Sequence, residues 1–235
     1  MINFFHSLLY YFMNRISFKI SLIGDSSTGK TSILEKLNQN KFSDNSVSTI
    51  GANFYSYKME IDRNNLVVLQ IWDTAGQERY NSILPLYIRS ADAIVFVFSL
   101  SDEKSLNNLF EKWIPFADSY QNYNKPSTKY FLGNKKDLVI EHEFINNNNN
   151  DKNKQLLEYI DKNNENYFEV SAKNGFNITN AFHEIAYQLY VNSIRVDSKP
   201  NIQLEVHSYH SYKYSNSLIG NDKDENNKDD NICCT

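Results

Sequence analysis

The stretch with the most obvious capacity for chemistry runs from Gly24 to Thr31 and reads GDSSTGKT. It fits the pattern G-x-x-x-x-G-K-S/T, in which successive backbone N–H groups curl around a phosphate at the start of a helix. In that pattern the lysine, here Lys30, reaches the outer phosphates, and the final hydroxyl, here of Thr31, ligates Mg²⁺. The loop therefore predicts a site for a phosphate-bearing ligand, and it leaves both the nucleotide and the reaction open.

Three more polar motifs follow the phosphate loop at wide intervals. They are DTAGQ at Asp73–Gln77, NKKD at Asn134–Asp137 and SAK at Ser171–Lys173, and a further hydroxyl stands at Thr49. Each is weak on its own, because NKKD is a common polar turn and SAK alone carries no chemistry. Their value depends on whether the fold brings them to the phosphate loop.

The segments between the motifs alternate between strand and helix patterns. Strand segments are apolar and β-branched, as in FKISLI before the phosphate loop, and helical segments repeat apolar residues three or four positions apart. The turn signal Asp62–Asn65 joins two strands as a hairpin. Strands are predicted at residues 18–23, 49–61, 66–72, 93–100, 130–132 and 167–170, and helices at 31–39, 105–120, 155–160 and 178–191.

This alternation predicts an α/β fold with a six-stranded, mostly parallel sheet, one antiparallel hairpin strand and helices on both faces. In such sheets, ligands bind outside the carboxyl ends of the strands. The phosphate loop and the motifs DTAGQ, NKKD and SAK each follow the end of a predicted strand. We therefore expect all four to converge on one crevice.

Composition limits the class of protein. The chain has 235 residues, 41% of them hydrophobic, and a net charge of -4, which suits one domain with a packed core and a tail. The sequence has no basic run, so we do not expect nucleic acid to be the main partner. The two cysteines, Cys233 and Cys234, are too few and too terminal for a disulfide-stapled secreted fold.

Both ends of the chain lie outside the alternating pattern. The predicted organisation is an apolar extension at residues 1–15, a domain at 16–194 and a disordered tail at 195–235, which contains the charged stretch NDKDENNKDDN. The apolar run Ile2–Met13 is shorter than the roughly 20 residues that span a bilayer. It also lacks the basic start and cleavage site of a signal peptide. This run is either packed on or mobile beside the domain, or in contact with a membrane interface.

Together, GDSSTGKT, Thr49, DTAGQ, NKKD and SAK resemble the G domain, the P-loop NTPase domain of the Ras-like small GTPase superfamily. Within that superfamily, IGANF after Thr49 and WDTAGQERY from Trp72 resemble the Rab family. The resemblance implies a switch that hydrolyses GTP to GDP and phosphate and regulates vesicle and endosomal membrane trafficking. The residues that resemble the early-endosomal Rab subfamily are Tyr80, Pro85 and Tyr87.

The resemblance implies a role in hydrolysis for several matching residues. Thr31 and Thr49 would supply oxygens to Mg²⁺, Thr49 only when the γ-phosphate is present, and Asp73 would hold the metal shell through water. The N–H of Gly76 would contact the γ-phosphate, and Gln77 would orient the attacking water. The implied catalytic residues are Gln77, Lys30 and Thr49.

The same resemblance implies that the chain selects guanine. Asn134 and Asp137 would contact the purine edge, and a carboxylate that accepts two N–H bonds suits guanine and rejects adenine. Ala172 would donate its backbone N–H to the guanine oxygen.

Further implied contacts surround the base and the phosphates. The stems of Lys135 and Lys173 would cover the base faces, and Phe42 would pack against the base edge. The implied nucleotide contacts are Asp25, Ser26, Ser27, Thr28, Gly29, Lys30, Thr31, Ser32, Phe42, Thr49, Gly76, Asn134, Lys135, Asp137, Ser171, Ala172 and Lys173.

The sequence departs from the family pattern at a few positions. Ser26 and Ser27 stand where many relatives have glycine, which bears on the rate of hydrolysis, and Ser90 also replaces a common glycine. The Asn-rich stretch Asn146–Asn153 lengthens a loop, and we expect it to be a surface insertion.

The aromatic residues Phe54, Trp72 and Tyr87 have two interpretations. They are either ordinary core aromatics or, as the resemblance implies, a partly exposed patch that binds effector proteins.

The tail ends in Cys233 and Cys234, third and second from the end, which is not a C-a-a-X box. The pair resembles the Rab pattern for double geranylgeranylation, and two lipid chains anchor a protein stably. The alternative is a pair of inert thiols. The implied partners are an exchange factor, a GTPase-activating protein, effectors, a GDP-dissociation inhibitor and a prenylation escort protein. The implied location is the cytoplasmic face of intracellular, endosomal membranes, in exchange with the cytosol.

Two other functions are compatible with a phosphate loop. One is a nucleotide-binding scaffold that does not hydrolyse GTP, and the residues Gln77 and Thr49 argue against it. The other is a phosphotransferase that passes phosphate to a metabolite, and it would need a substrate lid and an acceptor site that the sequence does not suggest.

Overall fold

The computed structural model describes residues 14–43, 48–121, 126–139 and 151–197. The apolar run at residues 2–13, most of the Asn-rich stretch and the tail with its two cysteines lie outside the described residues. The predictions made for them therefore stay predictions. The last residues of the Asn-rich stretch, 151–153, are described: they begin a helix and Asn153 is buried, so the prediction of a surface loop is wrong there.

The described residues form one six-stranded sheet with the strand order β2-β3-β1-β4-β5-β6. All neighbouring pairs are parallel except β2 and β3, which are antiparallel. The predicted mostly parallel sheet with one hairpin strand is therefore confirmed. The strands are β1 (Asn14–Ile23), β2 (Ala52–Glu60), β3 (Asn65–Thr74), β4 (Ala93–Ser99), β5 (Thr128–Asn134) and β6 (Asn166–Glu169).

The turn between β2 and β3 forms because Asp62 binds the chain that follows it. The Asp62 carboxylate accepts hydrogen bonds from the backbone N–H of Asn64 at 2.8 Å and from the side-chain amide of Asn65 at 2.8 and 2.9 Å. Aspartate stabilises turns by such local bonds. The predicted hairpin is confirmed, and it fixes the register in which Phe54 lies opposite Trp72.

Helices cover both faces of the sheet, as predicted, and each face has its own apolar core. One core packs α1 and α6 against the sheet, and the other packs the remaining helices. The predicted inward residues of the last helix, Ile178, Phe182, Ile185 and Leu189, are all buried. The helices are α1 (Lys30–Gln39), α2 (Leu84–Ile88), α3 (Glu103–Asn108), α4 (Ile114–Tyr120), α5 (Asp151–Asn163) and α6 (Ile178–Asp197).

The prediction of one regular helix at residues 105–120 is wrong. A π-helical turn at Leu109–Trp113 separates α3 from α4, and the N–H of Ile114 donates to the carbonyl of Leu109, five residues back. Pro115 supplies a physical reason, since it has no N–H and its ring crowds the carbonyl four residues earlier, that of Glu111. The apolar spacing of this segment is helical, but the proline prevents a regular helix.

The ends of the domain also differ from the prediction. β1 begins at Asn14, inside the predicted extension, and α6 continues to Asp197, beyond the predicted boundary at residue 194. Asn14, Arg15 and Arg195 are polar and exposed, so they carry no apolar signal. Within the described residues, no helix combines the length and the apolar character needed to cross a bilayer.

A half-buried carboxylate lies between α5 and β6 at Glu165. Burial raises the pKa of Glu165 from 4.5 to about 7, although the charge and backbone N–H of Lys129 oppose the shift. Asp118 adds to the rise in this pKa, and it also forms an ion pair with Lys129 at 2.7 Å. The folded state therefore binds this proton more tightly than the unfolded chain does.

We expect the unfolding free energy to fall as pH rises between 4.5 and about 7, because the folded state then holds more protons than the unfolded state. Glu165→Gln should flatten this fall and raise stability above that window. Urea unfolding at several pH values measures the effect. Glu158→Gln, on an exposed face of α5, controls for the loss of one charge. An unchanged slope in Glu165→Gln would contradict the assignment.

Candidate functional site

The phosphate loop encloses a buried cation. The Nζ of Lys30 donates to the backbone carbonyls of Gly24 at 2.9 Å and Asp25 at 2.7 Å, and Thr28 Oγ1 donates to the same Asp25 carbonyl at 2.9 Å. Burial lowers the pKa of Lys30 to about 8, while the carboxylates of Asp73 and Asp25 oppose the shift. Because a buried ammonium is stabilised by an anion, this position suits a phosphate group.

Gly29 ends the phosphate loop and starts α1. Its φ of 91° lies in the left-handed region, which favours glycine. A Cβ at this position would come within 2.3 Å of Asn134 Nδ2. The sequence therefore needs glycine here for both conformation and space. The N-terminus of α1 is left close to the loop, where its partial positive charge favours anions.

Thr31, Thr49 and Asp73, predicted as metal-binding residues, lie together. Thr31 Oγ1 donates to Asp73 Oδ2 at 2.6 Å and lies 2.8 Å from Thr49 Oγ1. Asp73 is fully buried, and its Oδ1 has no hydrogen-bond partner among the described residues. Burial raises the pKa of Asp73, although the hydroxyls of Thr31 and Thr49 and the charge of Lys30 act in the opposite direction.

This arrangement fits a hard divalent cation. Mg²⁺ prefers oxygen ligands from one or two carboxylates, hydroxyls and phosphates. An unpaired buried carboxylate oxygen costs free energy, and a bound cation would satisfy it and keep Asp73 ionised. The donor set of Thr31, Thr49 and Asp73 therefore suits Mg²⁺, as predicted.

The loop after β3 lies against the phosphate loop. A Cβ on Gly76 would come within 2.3 Å of the backbone nitrogen of Ser26, so this contact requires glycine. Gln77 lines the same open pocket. The residues that line the pocket are Ser26, Ser27, Gly29, Lys30, Thr31, Ser32, Ser48, Thr49, Thr74, Gly76 and Gln77.

Two serines that replace glycines of the family pattern keep a glycine-like backbone. Ser27 has a φ of 64° and Ser90 a φ of 57°, and each such residue costs about 1–3 kcal/mol. The Nζ of Lys19 donates to the carbonyls of Leu86 at 3.2 Å and Arg89 at 2.6 Å. These bonds hold the chain just before Ser90. The third departure, Ser26, lines the pocket without a positive φ.

Asn134, from the NKKD motif, is buried between two other loops. Its Nδ2 donates to the carbonyl of Thr28 at 2.8 Å, and its Oδ1 accepts the N–H of Ala172 at 3.0 Å. The phosphate loop and the SAK loop are therefore tied to one side chain. An amide nitrogen has two N–H donors, so the second donor of Asn134 stays available for a base.

Asp137 and the SAK loop are also joined. Ser171 Oγ donates to Asp137 Oδ1 at 2.6 Å, and Lys136 pairs with Glu169 at 2.6 Å. The Asp137 side chain is exposed yet held in position, so its carboxylate can accept two N–H bonds from a ligand. This geometry suits the predicted contact with guanine.

Not every predicted contact lies in the phosphate-side pocket. Phe42 is 36% exposed and does not line that pocket. Lys135 has a left-handed φ of 66°, and together with Lys173 it belongs to the base side. These three roles remain predictions.

The carboxylate of Asp25 makes contacts that sequence reasoning missed. It accepts hydrogen bonds from Asn108 Nδ2 at 2.6 Å and Trp113 Nε1 at 2.8 Å. Position 25 is a variable slot in the loop pattern, and the two donors are five residues apart, which is not a helical neighbour spacing. No signal in the sequence could have paired them.

The aromatic residues Phe54, Trp72 and Tyr87 form a surface cluster. The ring of Trp72 lies 5.1 Å from that of Phe54 and 5.0 Å from that of Tyr87. Phe54 is 52% exposed, and the other two are half-buried. Their exposure favours a binding patch over the interpretation as ordinary core aromatics.

Comparison with known proteins gives consistent matches. The model of the Ras family matches residues 19–191. The Ras-related protein Rab-1 of Theileria annulata is 40% identical over 172 residues, or 73% of this chain and 74% of that protein. Rab-11B of Dictyostelium discoideum is 38% identical over 74% of this chain and 76% of its own length. Rab-13 of Mesocricetus auratus is 34% identical over 75% of this chain and 81% of its own length.

We expect Thr31→Val to weaken Mg²⁺ binding while keeping the side-chain shape, because it removes the hydroxyl shared by Thr49 and Asp73. The Mg²⁺ concentration that half-maximally slows nucleotide release should rise at least about tenfold. Release of a fluorescent guanine nucleotide during a Mg²⁺ titration measures this. Thr179→Val, an exposed site on α6, is the matched control. If both variants require the same Mg²⁺ concentration, Thr31 is not a ligand.

Proposed function

From the premise that the chain belongs to the Ras family and is a Rab-type small GTPase, we propose that Thr31, Thr49, Asp73, Gly76 and Gln77 form its nucleotide-sensing site. A Rab-type GTPase binds GTP and GDP with Mg²⁺, hydrolyses GTP to GDP and phosphate, and acts in vesicle trafficking. What the proposal adds is the assignment of individual residues and the way in which the site responds to the third phosphate.

The contact between the hydroxyls of Thr31 and Thr49, at 2.8 Å, carries the proposal. Thr31 belongs to the rigid phosphate loop and α1, whereas Thr49 lies in the connection between α1 and β2. Thr49 can therefore join or leave the metal site without disturbing the sheet. A ligand that holds Thr49 in place orders this connection, and its loss releases it.

Hydrolysis depends on how the pocket positions water. Thr31, Thr49 and Asp73 would hold Mg²⁺, which would supply positive charge to the phosphates. Lys30 offers a buried cation to the phosphates, and Gln77 can present its amide to a water beside them. Among the described residues that line the pocket, none is an arginine. We therefore propose that an activating protein supplies one in trans, and that the chain alone hydrolyses GTP slowly.

Guanine selection is assigned to the opposite side of the cleft. Asp137 is oriented by Ser171 at 2.6 Å, and its carboxylate matches the two N–H donors that guanine has and adenine lacks. Loss of such paired bonds in a polar site discriminates by about 10⁴–10⁵. Asn134 belongs to the same motif as Asp137, and its Oδ1 accepts the N–H of Ala172 at 3.0 Å. Donation from this N–H to the guanine oxygen would require it to leave or share that bond, so the role of Ala172 stays a prediction.

We expect Gln77→Leu to bind GTP normally but to hydrolyse it at least about tenfold more slowly, equivalent to 1.4 kcal/mol of barrier, because leucine cannot orient water. Single-turnover phosphate release with an activating protein measures the rate. Ser82→Ala, exposed on the same segment, is the control. Equal rates for wild type and Gln77→Leu would exclude this role. A phosphorylated product other than inorganic phosphate would indicate a phosphotransferase instead.

The aromatic cluster is the proposed docking site for effectors. Phe54, Trp72 and Tyr87 offer adjacent rings at the surface, and Ile50 and Leu86, near them in sequence, are 79% and 64% exposed. Aromatic side chains supply much of the binding energy at protein interfaces. Phe54 and Trp72 lie on paired strands, so the patch stands beside the nucleotide-sensing connection and can report its state.

Like other Rab-type proteins, the chain acts at the cytoplasmic face of intracellular membranes. We propose the endosome as the compartment, on the basis of Tyr80, Pro85 and Tyr87, and a double lipid anchor on Cys233 and Cys234. The relatives named above are Rab-1, Rab-11B and Rab-13, so the endosomal assignment stays a prediction. Two prenyl chains give stable membrane binding where a single chain is marginal.

We expect the double substitution Cys233→Ser with Cys234→Ser to move the protein from membranes to the cytosolic fraction, because the attachment sites are lost. Intact mass and fractionation of the cellular protein measure this, and imaging with an endosomal marker tests the compartment. Thr235→Ser keeps both cysteines and is the control. A wild-type mass without a lipid adduct would contradict the lipid anchor. Location on another organelle would contradict the endosomal assignment.

A further inference from the structure

Asp25 places a negative charge inside a loop that binds polyanions. Like charges at short range oppose binding, so a carboxylate here needs a structural reason. Both of its oxygens point to the adjacent helical segment, where Asn108 Nδ2 and Trp113 Nε1 donate at 2.6 and 2.8 Å. Trp113 is 1% exposed, so its N–H has little access to water.

The π-helical turn brings these two donors together. In a regular α-helix, residues five apart point about 140° away from each other, given 3.6 residues per turn. The wider turn at Leu109–Trp113 closes with a bond from Ile114 back to Leu109, which places residues five apart on the same side. Asn108 and Trp113 can then contact one carboxylate. Such turns are frequent at functional sites.

The backbone of the same residue faces the opposite way. The Asp25 carbonyl accepts from Lys30 Nζ at 2.7 Å and from Thr28 Oγ1 at 2.9 Å. Asp25 therefore joins the helix, through its side chain, to the lysine at the centre of the phosphate loop. Gly76 is also adjacent, since a Cβ there would come within 2.4 Å of the Asp25 carbonyl carbon.

We propose that Asp25 is a positioning residue: the π-helical turn holds its carboxylate, this fixes the carbonyl that orients Lys30, and the bound nucleotide is released more slowly as a result. The proposal rests on the nucleotide site of the proposed function and adds a residue outside the metal and water positions.

The test measures release of a fluorescent GDP analogue from the full chain. Asp25→Ala should release GDP on the order of tenfold faster, because two hydrogen bonds to a charged group are lost. If Asp25 were only a like charge beside the phosphates, the same change would slow release. A rate at or below that of wild type therefore overturns the proposal. A wild-type protein that retains no guanine nucleotide would instead overturn the proposed function.

Two further variants separate positioning from general destabilisation. Trp113→Phe keeps an aromatic ring and removes the N–H, so it should also speed release. Combined with Asp25→Ala it should add nothing further, since both remove one shared interaction. Asp25→Asn keeps the shape and an acceptor, and should stay closer to wild type than Asp25→Ala. Full additivity, or equal effects of alanine and asparagine, would contradict the proposal.

The hydrogen bond from Trp113 to Asp25 can also be followed directly by NMR, with a variant of the α3 cap as the control. The chain has two tryptophans, so Trp72→Phe leaves Trp113 as the single indole N–H signal in NMR spectra. That signal should move upfield in Asp25→Ala, because its carboxylate acceptor is gone, and an unmoved signal would overturn the contact. Asp102→Ala removes the cap of α3, where Asp102 accepts the N–H of Lys104 at 3.1 Å. It should change neither the signal nor GDP release.

Discussion

A single buried amide holds the two halves of the nucleotide cleft at a fixed separation. Asn134 is 1% exposed, and it bonds both to the Thr28 carbonyl of the phosphate loop and to the Ala172 N–H of the SAK loop. Breaking either bond leaves a buried polar group unpaired, at a cost of about 1–3 kcal/mol. Gly29 has no room for a side chain beside it. The phosphate side and the base side of the cleft are therefore joined through one side chain.

This fixed cleft was the part of the structure that the sequence could predict. Parallel strands such as β4, which is buried along its whole length, end at one edge, so motifs at strand ends must converge. The role of Asp25 could not be predicted in the same way. It depends on the turn at Leu109–Trp113, whose apolar spacing matches a regular helix. Pro115 was visible in the sequence, but a proline in a helical pattern can start, kink or break a helix, so it did not specify a π-helical turn.

Two segments that border the phosphate side of the cleft, the chain after Thr49 and the chain before Gly76, are joined by a hydrogen bond. The N–H of Ala75 donates to the carbonyl of Gly51 at 2.9 Å, one step beyond the ladder that pairs β2 with β3. This bond ties the chain after Thr49 to the chain before Gly76. In the proposed switch, a change at the metal site would reach both segments, because this bond joins them.

The chain that follows Gly76 is anchored again near Tyr87. Ser21 Oγ donates to the carbonyl of Tyr87 at 2.6 Å, and Lys19 holds the carbonyls at the end of α2. Trp72 lies within β3, so two rings of the aromatic cluster stand on anchored backbone on either side of residues 76–83. We therefore expect that a partner which distinguishes GTP from GDP does not depend on these rings alone, because strand pairing and the Ser21 bond anchor the backbone of Trp72 and Tyr87. It must also contact the segment 76–83 or the exposed chain around Ile50, where the anchoring ends.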